Sequence, residues 1–138
     1  MRVSQRLDYA VRALILLAEQ PPGEFVAAGD LADRLNMPRR FVEQQITQLS
    51  RAGIVLCRRG AAGGCALARP SDEISVQQIV VALHGDVLDV PHHRDSASAE
   101  LWQRAEKALA DFLSSVDLAG LAERQREIDA ASAPMYYI

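Results

Sequence analysis

Arg39, Arg40, Glu43, Gln44, Thr47, Gln48 and Arg51 fall on one side of a 3.6-residue repeat, with Phe41, Val42, Ile46 and Leu49 on the other. These polar types match base edges: Arg forks onto guanine, Gln onto adenine, and Glu accepts from the amino group of cytosine. The same residues equally make an ordinary solvated helix face. Shortly after them, Arg58 and Arg59 lead into Gly60-Ala61-Ala62-Gly63-Gly64. A cation beside such an unhindered backbone suits entry into a narrow minor groove, and a flexible turn with solvated charges is the alternative. Cys57 and Cys65 oppose each other if the flanking strands pair about Ala61, near enough for a disulfide; otherwise they are small apolar fillers of the hairpin. His92 and His93 are adjacent, so their side chains diverge, and no Cys or Glu stands at helical ligand spacing beside them; the stretch reads as solvated loop. No nucleophile pairs with a base and no phosphate-binding loop precedes a helix, so the sequence does not read as an enzyme.

The stretch that must position these groups runs from Ala27 to Arg69. Leu31, Ala32 and Leu35 give a first short helix an apolar face, although Ala27 and Ala28 stand where a capping Ser or Thr would help. Asn36 suits a left-handed stop and Pro38 the first position of the next helix, leaving a turn of about four residues. Gly53 ends that second helix as a C-cap, and Ile54–Arg58 and Cys65–Ala68 follow as two short strands. This is the plan of a winged helix-turn-helix. Ahead of it, Glu24 to Val26 suggests a small edge strand. Before that, Ser4 can cap a helix whose Leu7, Val11, Leu14, Ile15 and Ala18 bury against the reader pair, with Pro21-Pro22-Gly23 ending it and Arg2, Arg6 and Arg12 off the stripe.

After the hairpin, Ser75 and Gln78 have capping-box spacing, Ile74 and Ile79 staple spacing, and Gly85 is a C-cap. Val76, Ile79, Val80 and Leu83 are its core face. A polar stretch then leads to a long helix from about Ser98, whose Leu101, Trp102, Ala105, Ala108, Leu109, Phe112, Leu113 and Val116 make a stripe too broad for a lone surface helix. It is expected to pair with a second copy, the alternative being that it folds onto its own domain. Asp117 can cap a last short helix with Leu118, Leu121 and Ala122 inward, and Met135-Tyr136-Tyr137-Ile138 ends a tail. The expected division is a DNA-binding unit over 1–85, a loop over 86–97, dimerisation helices over 98–129 and a tail over 130–138.

Asp8-Tyr9-Ala10-Val11-Arg12-Ala13-Leu14, Phe41-Val42-Glu43-Gln44, Gly53-Ile54-Val55 with the Arg59–Gly64 loop, Leu67-Ala68-Arg69-Pro70, Ile74-Ser75-Val76, Leu101-Trp102 and Phe112-Leu113 stand in an order that resembles the Rrf-two family of bacterial transcription regulators over nearly the whole chain. The resemblance implies that the start of the first helix, with Arg2, Ser4 and Tyr9, lies against the DNA backbone, where Arg2, Arg6 and Arg12 would contact phosphates and fix register; ordinary solvated arginine is the alternative. It favours Arg59, beside Gly60, as the minor-groove residue, and implies that the long helix crosses its counterpart in a second subunit. Cluster-binding members carry three cysteines after the fourth helix, whereas this chain has none between Val87 and Glu100. A thiolate-held iron-sulfur cluster is therefore not expected, nor is any other cofactor, even with Asp8 recruited beside His92 and His93. Members usually carry an aromatic residue where Cys65 stands.

Composition fits this reading. The net charge of −3 over 138 residues hides an asymmetry, since residues 1–69 hold ten Arg against six acidic residues and residues 70–138 hold five basic against twelve acidic. A basic front half can meet phosphates while an acidic back half faces away. No apolar run has the length of a membrane helix or the form of a signal peptide, and two cysteines make no secreted framework, so a cytoplasmic protein is expected. The fold expected is mainly α with a small β wing, and the partners expected are double-stranded DNA and a second copy. Three routes of switching stay open: a small-molecule effector between the long helix and the winged unit, the wing thiols, or a partner protein on the acidic half. A winged helix turned protein-interaction module is the rival reading.

Overall fold

In the computed structural model, residues 3–90 and 96–132 are described. Helix α1 (Gln5–Glu19) starts where expected: Ser4 is extended and its hydroxyl accepts from the Leu7 amide, satisfying one of the four orphan donors of the first turn. Ala10, Ala13, Leu14 and Leu17 form its buried face. α2 (Ala28–Leu35) begins with no side-chain cap, and it ends sharply because Asn36 takes the left-handed conformation (φ 53°). The Met37 amide then bonds the Ala32 carbonyl and the Asn36 amide that of Asp33, closing a Schellman motif that buries Met37.

α3 (Arg39–Arg51) starts one residue later than expected, with Pro38 as its extended cap. It ends in a second Schellman motif through Gly53 (φ 75°), in which the Ile54 amide reaches the Leu49 carbonyl and both side chains are buried. That motif turns the chain straight into the wing. Strands β1 (Val55–Arg58) and β2 (Gly64–Leu67) pair antiparallel with Val55 opposite Leu67 and Cys57 opposite Cys65. The expected edge strand at Glu24–Val26 shrinks to one bridge, Val26 to Cys65, held by two backbone hydrogen bonds. The Glu24 amide is spent on the Pro21 carbonyl in the turn just before it, which keeps that residue out of the ladder.

A 3₁₀ turn (Ser71–Glu73) leads to α4 (Val76–His84), where Ser75 caps the Gln78 amide and Ile74 and Ile79 are fully buried. The capping box is half made, because the Gln78 side chain accepts from Arg69 instead. α5 (Ala97–Ser114) is capped by Ser96 and buries only Ala99. α6 (Leu118–Ser132), announced by Asp117 accepting from Gly120, packs on α1 and inserts Leu118 and Ala122 into the core. It is longer than the sequence suggested, reaching into the stretch read as tail, since Arg124–Glu127 and Gln125–Asp129 pairs carry it onward. The main core lies where α1, α2, α3, α4 and the wing meet, around Leu14, Leu31, Leu49 and Ile79.

Candidate nucleic-acid interface

The burial of α3 separates its two faces. Val42, Ile46 and Leu49 are buried, and so is Gln45, only 3% exposed, whereas Arg39, Arg40, Glu43, Gln44, Thr47 and Arg51 are exposed and Gln48 is half-buried. Gln45 was not read as core, although it stands three residues after Val42 and four before Leu49, which is the spacing of the buried stripe. Its amide is the one buried polar side chain among the described residues.

Neighbouring residues already fix several of the expected reading groups. Arg39 pairs with Glu43 one turn on at 3.0 Å, and Thr47 gives its hydroxyl proton to the Glu43 carbonyl. Gln48 is held from a different helix: Arg6 of α1 donates to its amide oxygen at 3.0 Å. Arg6, Phe41, Gln44, Thr47, Gln48 and Arg51 thus line one open groove shared by α1 and α3. Arg6 lies off the buried stripe of its helix, and the packing of α1 on α3 brings it to the exposed face of α3.

Tyr9 sits in the seam of those helices, its ring edge-on to Phe41 with centroids 5.6 Å apart. Gln5 donates to its hydroxyl at 2.8 Å and the Arg12 guanidinium lies 5.6 Å from its ring, so Tyr9 helps orient Arg12 as well as facing outward itself. Ser4 caps α1, and its hydroxyl also lies 3.4 Å from His84 Nε2 at the end of α4, a link between segments 80 residues apart that local pattern does not reveal. Arg2, His92, His93 and the Met135–Ile138 end fall outside the described residues.

On the wing the two arginines separate. Arg58 lies over the Phe25 ring at 4.5 Å, which parks it on the protein. Arg59 has no ion pair or side-chain hydrogen bond among the described residues, and stands next to Gly60 (φ 104°), around which the space is open. The other loop glycines serve the fold. A side chain at Gly63 would collide with the Arg58 carbonyl, and one at Gly64 (φ 135°) with the Val26 backbone. Their absence of a Cβ is what lets the hairpin turn and the Val26 bridge form.

Cys57 is exposed and Cys65 buried, their sulfurs 3.8 Å apart. Burial, with Cys57 close by, pushes the Cys65 thiol up to about 12. These are the only two cysteines of the chain, and among the described residues no three His, Cys, Asp or Glu side chains converge. A cluster needing three thiolates does not fit this donor set. Elsewhere, α5 leaves Leu101 (56% exposed), Trp102 (45%) and Phe112 (62%) uncovered, with Ala105, Leu109 and Leu113 half-buried along the same helix.

The family model for Rrf2, described as an iron-dependent transcriptional regulator, matches residues 3–124. A protein of Synechocystis named as an HTH-type transcriptional regulator is 33% identical over 95% of this chain and 94% of its own length. Among solved structures, IscR of T. potens superposes with a TM-score of 0.78 at 31% identity, covering 99% of this chain and 97% of its own. CymR of B. subtilis, described as the global cysteine regulator, gives 0.79 at 28% identity, covering 90% and 98%. No described helix is long and apolar enough to cross a membrane.

Proposed function

This chain belongs to the Rrf2 family of transcriptional regulators, and we propose that it works as a homodimer that reads an inverted-repeat operator and represses by occupying it. The observation that carries the reading is the grouping of Arg6 with Gln44, Thr47, Gln48 and Arg51 of the polar face of α3 around one open groove. The amino end of α3, with Arg40 and Gln44, enters the major groove, and Gln48 and Arg51 extend the contact along the helix. Arg39, spent partly on Glu43, holds that carboxylate in place for a cytosine amino group. Arg2, Ser4 and Tyr9, at the start of the chain, meet the sugar-phosphate backbone and set register. Arg58 anchors the wing on Phe25, Gly60 opens space beside it, and Arg59 reaches the adjacent minor groove.

The dimer rests on α5. Three large apolar side chains exposed on one helix of a small domain are what a coiled or crossed pair of helices buries. A two-fold axis through α5 gives two equal reading surfaces, so the operator takes the same symmetry. Bound there, the dimer excludes other proteins from that stretch of DNA. Selection of the purified protein on a randomised duplex library, followed by sequencing, tests the reading: it yields an inverted repeat with an A·T-rich flank. A library that emerges unenriched, from a folded and dimeric protein, overturns it in favour of an interaction module.

A further inference from the structure

Cys65 spends both its amide and its carbonyl on Val26, at 2.8 and 2.9 Å. Its backbone therefore points away from β1, which makes Cys57 and Cys65 a non-hydrogen-bonded cross-strand pair. Such pairs have the closer backbones, with Cα atoms about 4.5 Å apart, inside the range a disulfide spans. Their side chains leave the same face of the ribbon, and the sulfurs are already 3.8 Å apart. One is exposed and reachable; the other is buried, anchored and next to it.

We propose that Cys57 and Cys65 form a reversible dithiol-disulfide site at the base of the wing, oxidised by a hydroperoxide, and that closing it tightens the grip of the wing on DNA. The inference rests on the DNA-binding reading above. The exposed Cys57 attacks an oxygen of the hydroperoxide as thiolate, breaking the O–O bond and giving a sulfenic acid; the other oxygen takes up the proton that Cys57 released and leaves as water when the oxidant is hydrogen peroxide, or as the alcohol of an organic hydroperoxide. The Cys65 sulfur then attacks Cys57 Sγ; the S–S bond forms, the S–O bond breaks, and the Cys65 proton leaves with the hydroxyl as a second water. Two thiols lose two electrons and one hydroperoxide gains them. Burial keeps Cys65 a thiol at neutral pH, which fixes the order: Cys57 reacts first and Cys65 resolves.

The site lies one residue before Arg58 and two before Arg59, and only the Arg58–Gly64 pair separates it from the loop. Cys65 is held by Val26 on its other side, so the bond ties the arginine-bearing strand to the one that the Val26 bridge anchors. A wing held in its binding shape loses less freedom on meeting the groove, which raises affinity by about threefold to tenfold. By linkage, DNA makes the disulfide harder to reduce by the same factor.

The test treats reduced protein with hydrogen peroxide, reads thiols by alkylation and intact mass, and titrates the selected duplex with each form. The expected result is a monomeric chain lighter by two hydrogens with no alkylable thiol, tighter DNA binding that dithiothreitol reverses, and neither effect in Cys57→Ser, whose change is on the surface. Chain-to-chain disulfides, over-oxidised Cys57 beside an alkylable Cys65, or a closed bond that leaves affinity unchanged or lower would each overturn the proposal. Because the bond is read from mass without DNA, a reduced protein that binds no duplex at all counts against the DNA-binding reading, whereas a bond that never forms counts against this site alone.

Discussion

The guanidinium of Arg6 donates to the side-chain oxygen of Gln48 across 3.0 Å, joining α1 to the exposed polar face of α3. A guanidinium has no acceptor, so the oxygen end of the amide must face it and the NH₂ end is left to donate. Reading adenine takes both ends of a Gln, whereas donation alone suits the acceptors of guanine or thymine. Arg6→Ala should therefore shift the preference at one position of each half-site toward adenine, by an amount within the ~1–3 kcal/mol of a bidentate pair. Equal weakening on every sequence in a binding selection would make Arg6 a phosphate contact only.

The wing arginines should behave differently. Arg59→Ala is expected to weaken binding mainly when the flanks are A·T-rich, because a narrow minor groove has the strongest negative potential. Arg58→Ala removes the stack on Phe25 and should loosen the wing first, lowering affinity with little dependence on the flank. Competition titrations on two operators differing only in their flanks separate the two, and identical flank dependence would contradict the division.

The glycines of the wing should not be interchangeable. Gly64→Ala drives a methyl into the Val26 backbone at a positive φ and is expected to cost about 3 kcal/mol or more in urea unfolding. At Gly60, where space is open, only the conformational cost of about 1 kcal/mol remains. Equal losses would mean that the Val26 bridge does not constrain the hairpin.

Phe112→Asp places a charge on the exposed stripe of α5 and should give a folded monomer by sedimentation, with half-site binding in place of cooperative binding to both halves. A mass that stays dimeric moves the interface off this helix.

Glu19, half-buried on α1, has its carboxyl pushed above the usual range, first by burial and then by Asp129 on α6. A carboxyl whose folded pKa is raised contributes stability at low pH, when protonated, and loses it as pH rises through the folded value. Glu19→Gln should therefore raise Tm slightly at pH 7 and not at pH 3.5, the effect staying small because the group is only partly buried. A destabilising change at pH 7 would show that attraction by Arg126 outweighs both causes.

Much of this was legible in the residues. Asn36 and Gly53 mark both helix ends because a left-handed stop is a local property. The symmetry of the cysteines about Ala61 gives the hairpin register, because antiparallel pairing fixes the sum of partner positions. What escaped depends on contacts between distant segments. The sequence suggests Arg6 as a phosphate contact, but its bond to Gln48 exists only once α1 packs on α3, and Phe25 gains its part only when the wing folds back over it. Gln45 was hidden for a different reason: it stands at core spacing with a polar side chain, and type was weighed above position. The length of α6 escaped because Ala and Ser after Ile128 suggest a tail, while the pairs Arg124–Glu127 and Gln125–Asp129 carry the helix through.

Whether a two-fold pair of these chains reads DNA sequence is decided by sequencing the duplexes that the dimer retains from a randomised library. An enriched inverted repeat, bound with an affinity that falls linearly on a logarithmic salt scale, is the predicted result. An unenriched library from a folded dimer, or binding indifferent to both sequence and salt, would contradict it.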